Sequence, residues 1–179
     1  MMVDLAEIQA AYYMVAATGV LVAAIYYVFN MRATLQTRQA QILMNLYQKW
    51  TEPQWGDAWN DIMLWEWTDV DDYISKYWSD PDERRKYGIV GGFLEGLGVF
   101  VKRGFIDATL VDDLMSSYIV SYWQKFGTIA LEFRKRMNNP VIGEYCEYLY
   151  NVIYPIYVRQ HPEAPKPGTP GIVLSSGES

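Results

Sequence analysis

The chain has 179 residues, 51% of them hydrophobic and 16% aromatic, and carries a net charge of −6. Its apolar surface suffices for one buried core, while the negative balance gives no field that would attract a phosphate backbone, which excludes nucleic acid as a partner. The single cysteine, Cys146, excludes an internal disulfide framework and reads as a small buried apolar residue.

In chain order, the first seven residues form a short extracytoplasmic N-terminus carrying Asp4 and Glu7. Residues 8–29 follow without a charged side chain. As a helix this stretch reaches roughly 33 Å, enough to cross a hydrocarbon core. Tyr12 and Tyr13 near one end, and Tyr26, Tyr27 and Phe29 near the other, sit where aromatic rings favour the two interfaces. No basic residue precedes the apolar run and no small-x-small site follows it, so it reads as a retained transmembrane helix rather than a cleaved leader. Arg32, Arg38 and Lys49 follow the span, which predicts an N-terminus outside and a domain in the cytoplasm at the cell membrane. Gly19 and Ala23 form a small-xxx-small face on which a second span could pack.

No proline or glycine occurs between Val20 and Glu52, and Leu35, Ile42, Leu43, Leu46, Tyr47 and Trp50 recur at helical spacing, so the span is expected to continue as a stalk. Thr51 and Pro53 read as a stop and a new cap, opening a helix through about Trp67; Thr68 and Asp69 start another that ends near Trp78. Asp80-Pro81 starts a helix that Gly104 closes, and Asp107 starts the next. That one has an apolar stripe at Val111, Leu114, Tyr118, Ile119, Tyr122, Phe126, Ile129 and Phe133, with Asp112, Lys125, Glu132 and Arg136 off it. Asn139-Pro140 begins a last helix. The expected fold is all-α: one N-terminal transmembrane helix, a cytoplasmic helical bundle over residues 30–160, and a Pro/Gly-rich tail over residues 161–179. The tail holds four prolines and three glycines and should be flexible or bound to a partner, with residues 171–174 the piece most able to join a neighbour's sheet edge.

Residues for chemistry are scarce. His161 stands at the edge of the tail, Cys146 has no local base, and no phosphate-binding loop, dinucleotide fingerprint or metal-ligand spacing occurs. No catalytic residue, metal site or cofactor is implied. Residues 52–83 instead hold ten acidic side chains against a single Lys76. Trp55, Trp59, Trp65, Trp67 and Trp78 lie in the same stretch, which suggests an acidic, aromatic surface for a basic or amphipathic partner. The alternative is that Trp55, Trp59 and Trp65 are core and the acids are solvated.

Five glycines crowd residues 88–98, each costing roughly 1 kcal/mol inside a helix relative to alanine. Gly88, Gly92 and Gly96, at four-residue spacing, predict a seam for close helix packing. Glu95 lies beside that seam and should pair with a cation such as Arg134 or Lys102, accept helix N-terminal N–H groups, or be protonated.

Phe93-Leu94-Glu95, residues 101–107 (VKRGFID), Trp123, Arg134 and Glu147-Tyr148-Leu149 together resemble an uncharacterised family of bacterial and archaeal proteins with one N-terminal span and a small helical cytoplasmic domain. The resemblance covers roughly residues 32–157. It implies architectural roles for Glu95, Gly104 and Asp107 and brings no activity with it.

The expected function is a membrane-anchored interaction or scaffold module, acting on a protein partner or a second copy of the chain and serving as an accessory subunit of a larger assembly. The alternatives are a metal-assisted hydrolase or transferase using Glu95, which requires an open polar pocket there, and a sensor or immunity-type protein acting through its span.

Overall fold

A computed structural model describes residues 5–163; the tail beyond, including residues 171–174, and the first four residues lie outside the described part. Every regular element among the described residues is helical: α1 (Leu5–Trp50), α2 (Pro53–Leu64), α3 (Val70–Tyr73) running into a π-turn (Ile74–Trp78), α4 (Pro81–Lys102), α5 (Ala108–Arg136) and α6 (Glu144–Gln160). The chain divides into two compact units, one through Ile42 and one from Leu43 onward.

In the first unit, α1 is long and apolar enough to cross a membrane. Every side chain from residue 8 to residue 29 is exposed. Thr18, the one hydroxyl among them besides the tyrosines, donates to the Met14 carbonyl at 2.8 Å, which hides its polar group against the helix. Gly19 and Ala23 are exposed, and a Cβ added at Gly19 would meet nothing within 4 Å.

The helices of the second unit begin where short polar side chains meet free backbone N–H groups. Asp80 accepts from Asp82 N at 2.8 Å, with Pro81 in the first turn, and Asp107 accepts from Thr109 N at 2.8 Å. Asp69 accepts from Asp72 N at 2.9 Å while the Asp72 carboxylate accepts from Thr68 N at 3.0 Å, a reciprocal cap. Gly104, at φ +69°, closes α4: Phe105 N donates to Phe100 O at 2.9 Å and Gly104 N to Val101 O at 3.0 Å.

Three boundaries depart from expectation. The residue preceding α2 is Glu52, because the Thr51 hydroxyl turns back to the Tyr47 and Gln48 carbonyls. α2 stops at Leu64 rather than near Trp67: Trp65 is extended and buried, its ring stacked on Tyr77 at 4.3 Å, and the Lys125 ammonium takes the Met63 and Trp65 carbonyls at 2.8 and 2.7 Å. α6 starts at Glu144 instead of at Pro140. Asn138, at φ 47°, ends α5 in a left-handed turn, and Gly143, at φ +68°, sets the entry to α6. Val141 is consequently left exposed.

The core lies where α6 packs against α4 and α5, with α2 against α4. Leu94 and Leu97 of α4, Ile119, Phe126 and Ile129 of α5, and Leu149 and Ile153 of α6 are all at most 2% exposed. Each such aliphatic side chain stabilises the fold by about 1.5–3 kcal/mol. The expected α5 stripe holds at Val111 and from Ile119 to Phe133, but between them Leu114 is exposed, and Asp112, expected off the stripe, is 2% exposed.

Both Asp112 carboxylate oxygens are buried without a hydrogen bond of normal geometry. Burial, then the Asp113 charge, raises the Asp112 pKa; Gln160 and His161 at the end of α6 oppose the shift. A carboxylate whose folded-state pKa lies above its unfolded value is best tolerated below pH ~4, and it loses stability as pH rises through the folded value. Asp112→Asn is therefore expected to stabilise the domain by about 1–2 kcal/mol at pH 7.5 and by much less at pH 4, read from denaturant midpoints at the two pH values.

Candidate functional site

The tryptophans are packed inward. Trp55 is 5% and Trp65 is 6% exposed, which corrects the expectation that these two form a partner surface. Trp59 stacks on Trp55 at 5.4 Å and meets Tyr118 at 4.8 Å; Trp67 lies against Tyr73 and Phe126; Trp78 lies against Phe133 at 4.9 Å. These three are half-buried. Burying the large apolar area of the rings against one another, in edge-to-face and stacked contacts, explains why they cluster.

Several acids of the same segment are tied up in ion pairs: Asp61 and Glu83 with Lys86 at 2.8 and 2.9 Å, Asp72 with Lys76 at 2.8 Å, and Asp71 with Arg136. A cleft of about 430 Å³ along α2 and α4 is lined by Asp57, Asp61 and Asp82 with Arg85 and Lys86, and by no tryptophan. No indole enters this acidic cleft.

Glycine packing also differs from expectation. A Cβ on Gly98 would lie 2.3 Å from the Tyr145 carbonyl oxygen, and one on Gly91 would lie 2.6 Å from the Tyr122 hydroxyl. Gly88, Gly92 and Gly96 would meet nothing within 4 Å. The close contacts fall at Gly98, where the α6 backbone meets α4, and at Gly91, where the Tyr122 side chain of α5 reaches it, and the row at four-residue spacing faces open space.

Glu95 sits one turn before Gly98 and, of the three fates open to it, takes the helix cap. Its carboxylate accepts from Cys146 N at 2.9 Å, with Tyr145 N also contributing. Gly143, which precedes α6, has no side chain to do this, so a residue of α4 supplies the cap in its place. Burial is the main influence on the Glu95 pKa and raises it; the Cys146 and Tyr145 N–H groups pull it back, and the Glu144 charge adds to the rise.

Neither expected cation pairs with Glu95. Arg134 donates from Nη1 to Glu147 at 2.6 Å and from Nε to the Ile142 carbonyl at 2.7 Å, and Lys102 pairs with Glu144 at 2.9 Å. Both therefore bind the start of α6 on either side of Glu95. Among the described residues no ammonium or guanidinium forms an ion pair with the Glu95 carboxylate.

Around Glu95 a cavity of about 170 Å³ opens between α4, α5 and the start of α6. Tyr87, Tyr122, Trp123 and Phe126 provide aromatic walls, with Gly88 and Gly92 along α4. Burial pushes the Tyr87 hydroxyl up to about 12, and it is hydrogen-bonded to Tyr122. Burial and the Glu95 charge push the Cys146 thiol far above the usual range, so it stays protonated and Sγ faces the Gly91 carbonyl. The pocket thus holds one carboxylate and neutral aromatic hydroxyls, without an activated nucleophile. Among the described residues no three His, Cys, Asp or Glu side chains are grouped to hold a metal ion.

Sequence reasoning singled out Glu95 and named a polar pocket there as the requirement of the hydrolase or transferase alternative; the aromatic lining was not legible, since the walls come from three helices and the floor from missing side chains. The five glycines were the available signal. No curated protein matches the chain, and no solved structure does. A family model does match, over residues 14–152, which is most of α1 and nearly all of the helical domain. The chain belongs to the family described as Domain of unknown function (DUF4760).

Proposed function

We propose that the protein is a single-pass, membrane-anchored interaction module: α1 crosses the cell membrane with its N-terminus outside, and the helical domain engages a protein partner or a second copy in the cytoplasm. The observation that carries this reading is the complete exposure of an apolar helix. Residues 8–29 are exposed throughout among the described residues, and a bilayer is the environment that accounts for them. Arg32, Arg38 and Lys49 on one side, against Glu7 and Asp4 on the other, support the orientation. The open face at Gly19 and Ala23 supports helix–helix contact within the membrane. A role as an accessory subunit fits a domain whose thiol is buried and protonated and whose central carboxylate is committed to a helix cap.

Two readouts of one preparation test the proposal. Protease added to intact cells should leave the domain whole, while protease added to inverted vesicles should digest it. Native mass measurement after mild-detergent extraction should give a particle larger than one chain. Digestion from outside, or a strictly monomeric particle, would overturn the corresponding half.

A further inference from the structure

We propose that the cavity between α4, α5 and the start of α6 is a binding site for a small alkylammonium ion, held by the Glu95 carboxylate among the aromatic rings of Tyr87, Tyr122 and Trp123.

Three independent features point to a ligand of this kind. The first is uncompensated cost. Gly88 and Gly92 lie inside α4, where each is unfavourable by roughly 1 kcal/mol relative to alanine. Nothing packs within 4 Å of the Cβ position at either, so close helix approach does not repay them as it does at Gly98. Both instead border the cavity, where side chains would narrow it. The second is size. At about 170 Å³ the space is close to the roughly 150 Å³ cavity known to admit benzene, which suits a ligand of six to eight heavy atoms.

The third is charge. Glu95 is a partly buried carboxylate whose hydrogen-bond donors are neutral backbone N–H groups; Arg134 acts on it only through its charge, and the ion pairs of Arg134 and Lys102 are with Glu147 and Glu144 of α6. Aromatic rings line the cavity, and π-systems attract an onium ion and not an anion. A carboxylate beside aromatic rings in a half-open cavity favours a cation whose own hydration is weak, as that of an alkylated ammonium is. An anion would face the Glu95 charge directly, and a purely apolar guest would gain nothing from it.

The same chemistry occurs in a free amine and in a lipid headgroup. The test is titration of the full-length chain, in an uncharged sugar detergent, with choline, with glycerophosphocholine and with the uncharged carbon isostere of choline, followed by calorimetry and by Trp fluorescence. Choline should bind saturably, and the isostere at least tenfold more weakly. Glycerophosphocholine binding as well as choline marks a headgroup site; its rejection marks a free-amine site. Glu95→Gln, whose amide oxygen can still accept from Cys146 N, should lower choline affinity at least tenfold. Gly92→Leu and Gly88→Leu, which fill the mouth from exposed positions and leave the circular dichroism unchanged, should do the same. Absence of saturable binding by both choline and glycerophosphocholine, equal binding of the isostere, or unchanged affinity in Glu95→Gln would each overturn the proposal.

Discussion

Gly98→Ala should lower the stability of the helical domain by about 3 kcal/mol or more, while Gly92→Ala, six residues earlier on the same helix, should raise it by up to about 1 kcal/mol. The chemical change is identical, one methyl group in a helix interior, and intrinsic propensity favours it at both sites. What differs is the space. At position 98 the methyl carbon would stand 2.3 Å from the Tyr145 carbonyl oxygen and 2.8 Å from its carbon, and both are backbone atoms that no side-chain rotation can withdraw. α6 must back away from α4. That movement breaks the hydrogen bond from Cys146 N to Glu95, so α6 is also left without the cap at its first turn. At position 92 the methyl meets nothing. Urea denaturation of both variants in one detergent, followed by Trp fluorescence, measures the pair. Equal effects would mean that α6 does not ride on Gly98.

Arg134→Ala should cost about 2–4 kcal/mol, and Arg134→Lys should recover less than half of it. The guanidinium binds two things at once: the Ile142 carbonyl in the connection before α6 and the Glu147 carboxylate near its first turn. Its side chain is 17% exposed, so solvent repays little when the pair is broken. Alanine leaves the carbonyl and the half-exposed Glu147 carboxylate without their donor and a gap where the aliphatic stem lay. Lysine has one ammonium in place of a planar fork and reaches one acceptor at a time. Denaturant midpoints of the three chains measure this, and near-identity of Arg134→Lys with the parent would show that charge alone matters there.

Helix starts and stops governed by neighbours in sequence were readable in advance. Asp80 before Pro81, Asp107, and Gly104 act on backbone groups within a few residues, so their chemistry is complete in the local string. Features that depend on which helix arrives from elsewhere were not. The spacing of Gly88, Gly92 and Gly96 drew attention to the wrong face of α4, because only the crossing direction of α6 decides that Gly98 is the point of closest approach. Glu95 could be recognised as a charge in need of a partner, yet the partner is an N–H group 51 positions away. Lys125 reads as a solvent-facing residue beside an apolar stripe, and it in fact ends α2 by taking two carbonyls 60 and 62 positions upstream, with its ammonium over the Trp67 ring. Asp112 reads the same way and is buried. For the tryptophans, composition alone could not distinguish a sticky surface from a core, and close ring packing places Trp55 and Trp65 in the core.

Everything proposed for the protein rests on α1 holding a folded helical domain at a membrane. Extraction of native membranes with alkaline carbonate, which strips peripheral proteins and leaves spanning ones, addresses that directly. The full-length chain should remain in the pellet together with a known integral protein and dissolve only in detergent. Recovery of the chain in the carbonate supernatant would contradict the account, and residues 8–29 would then require a protein surface to cover them.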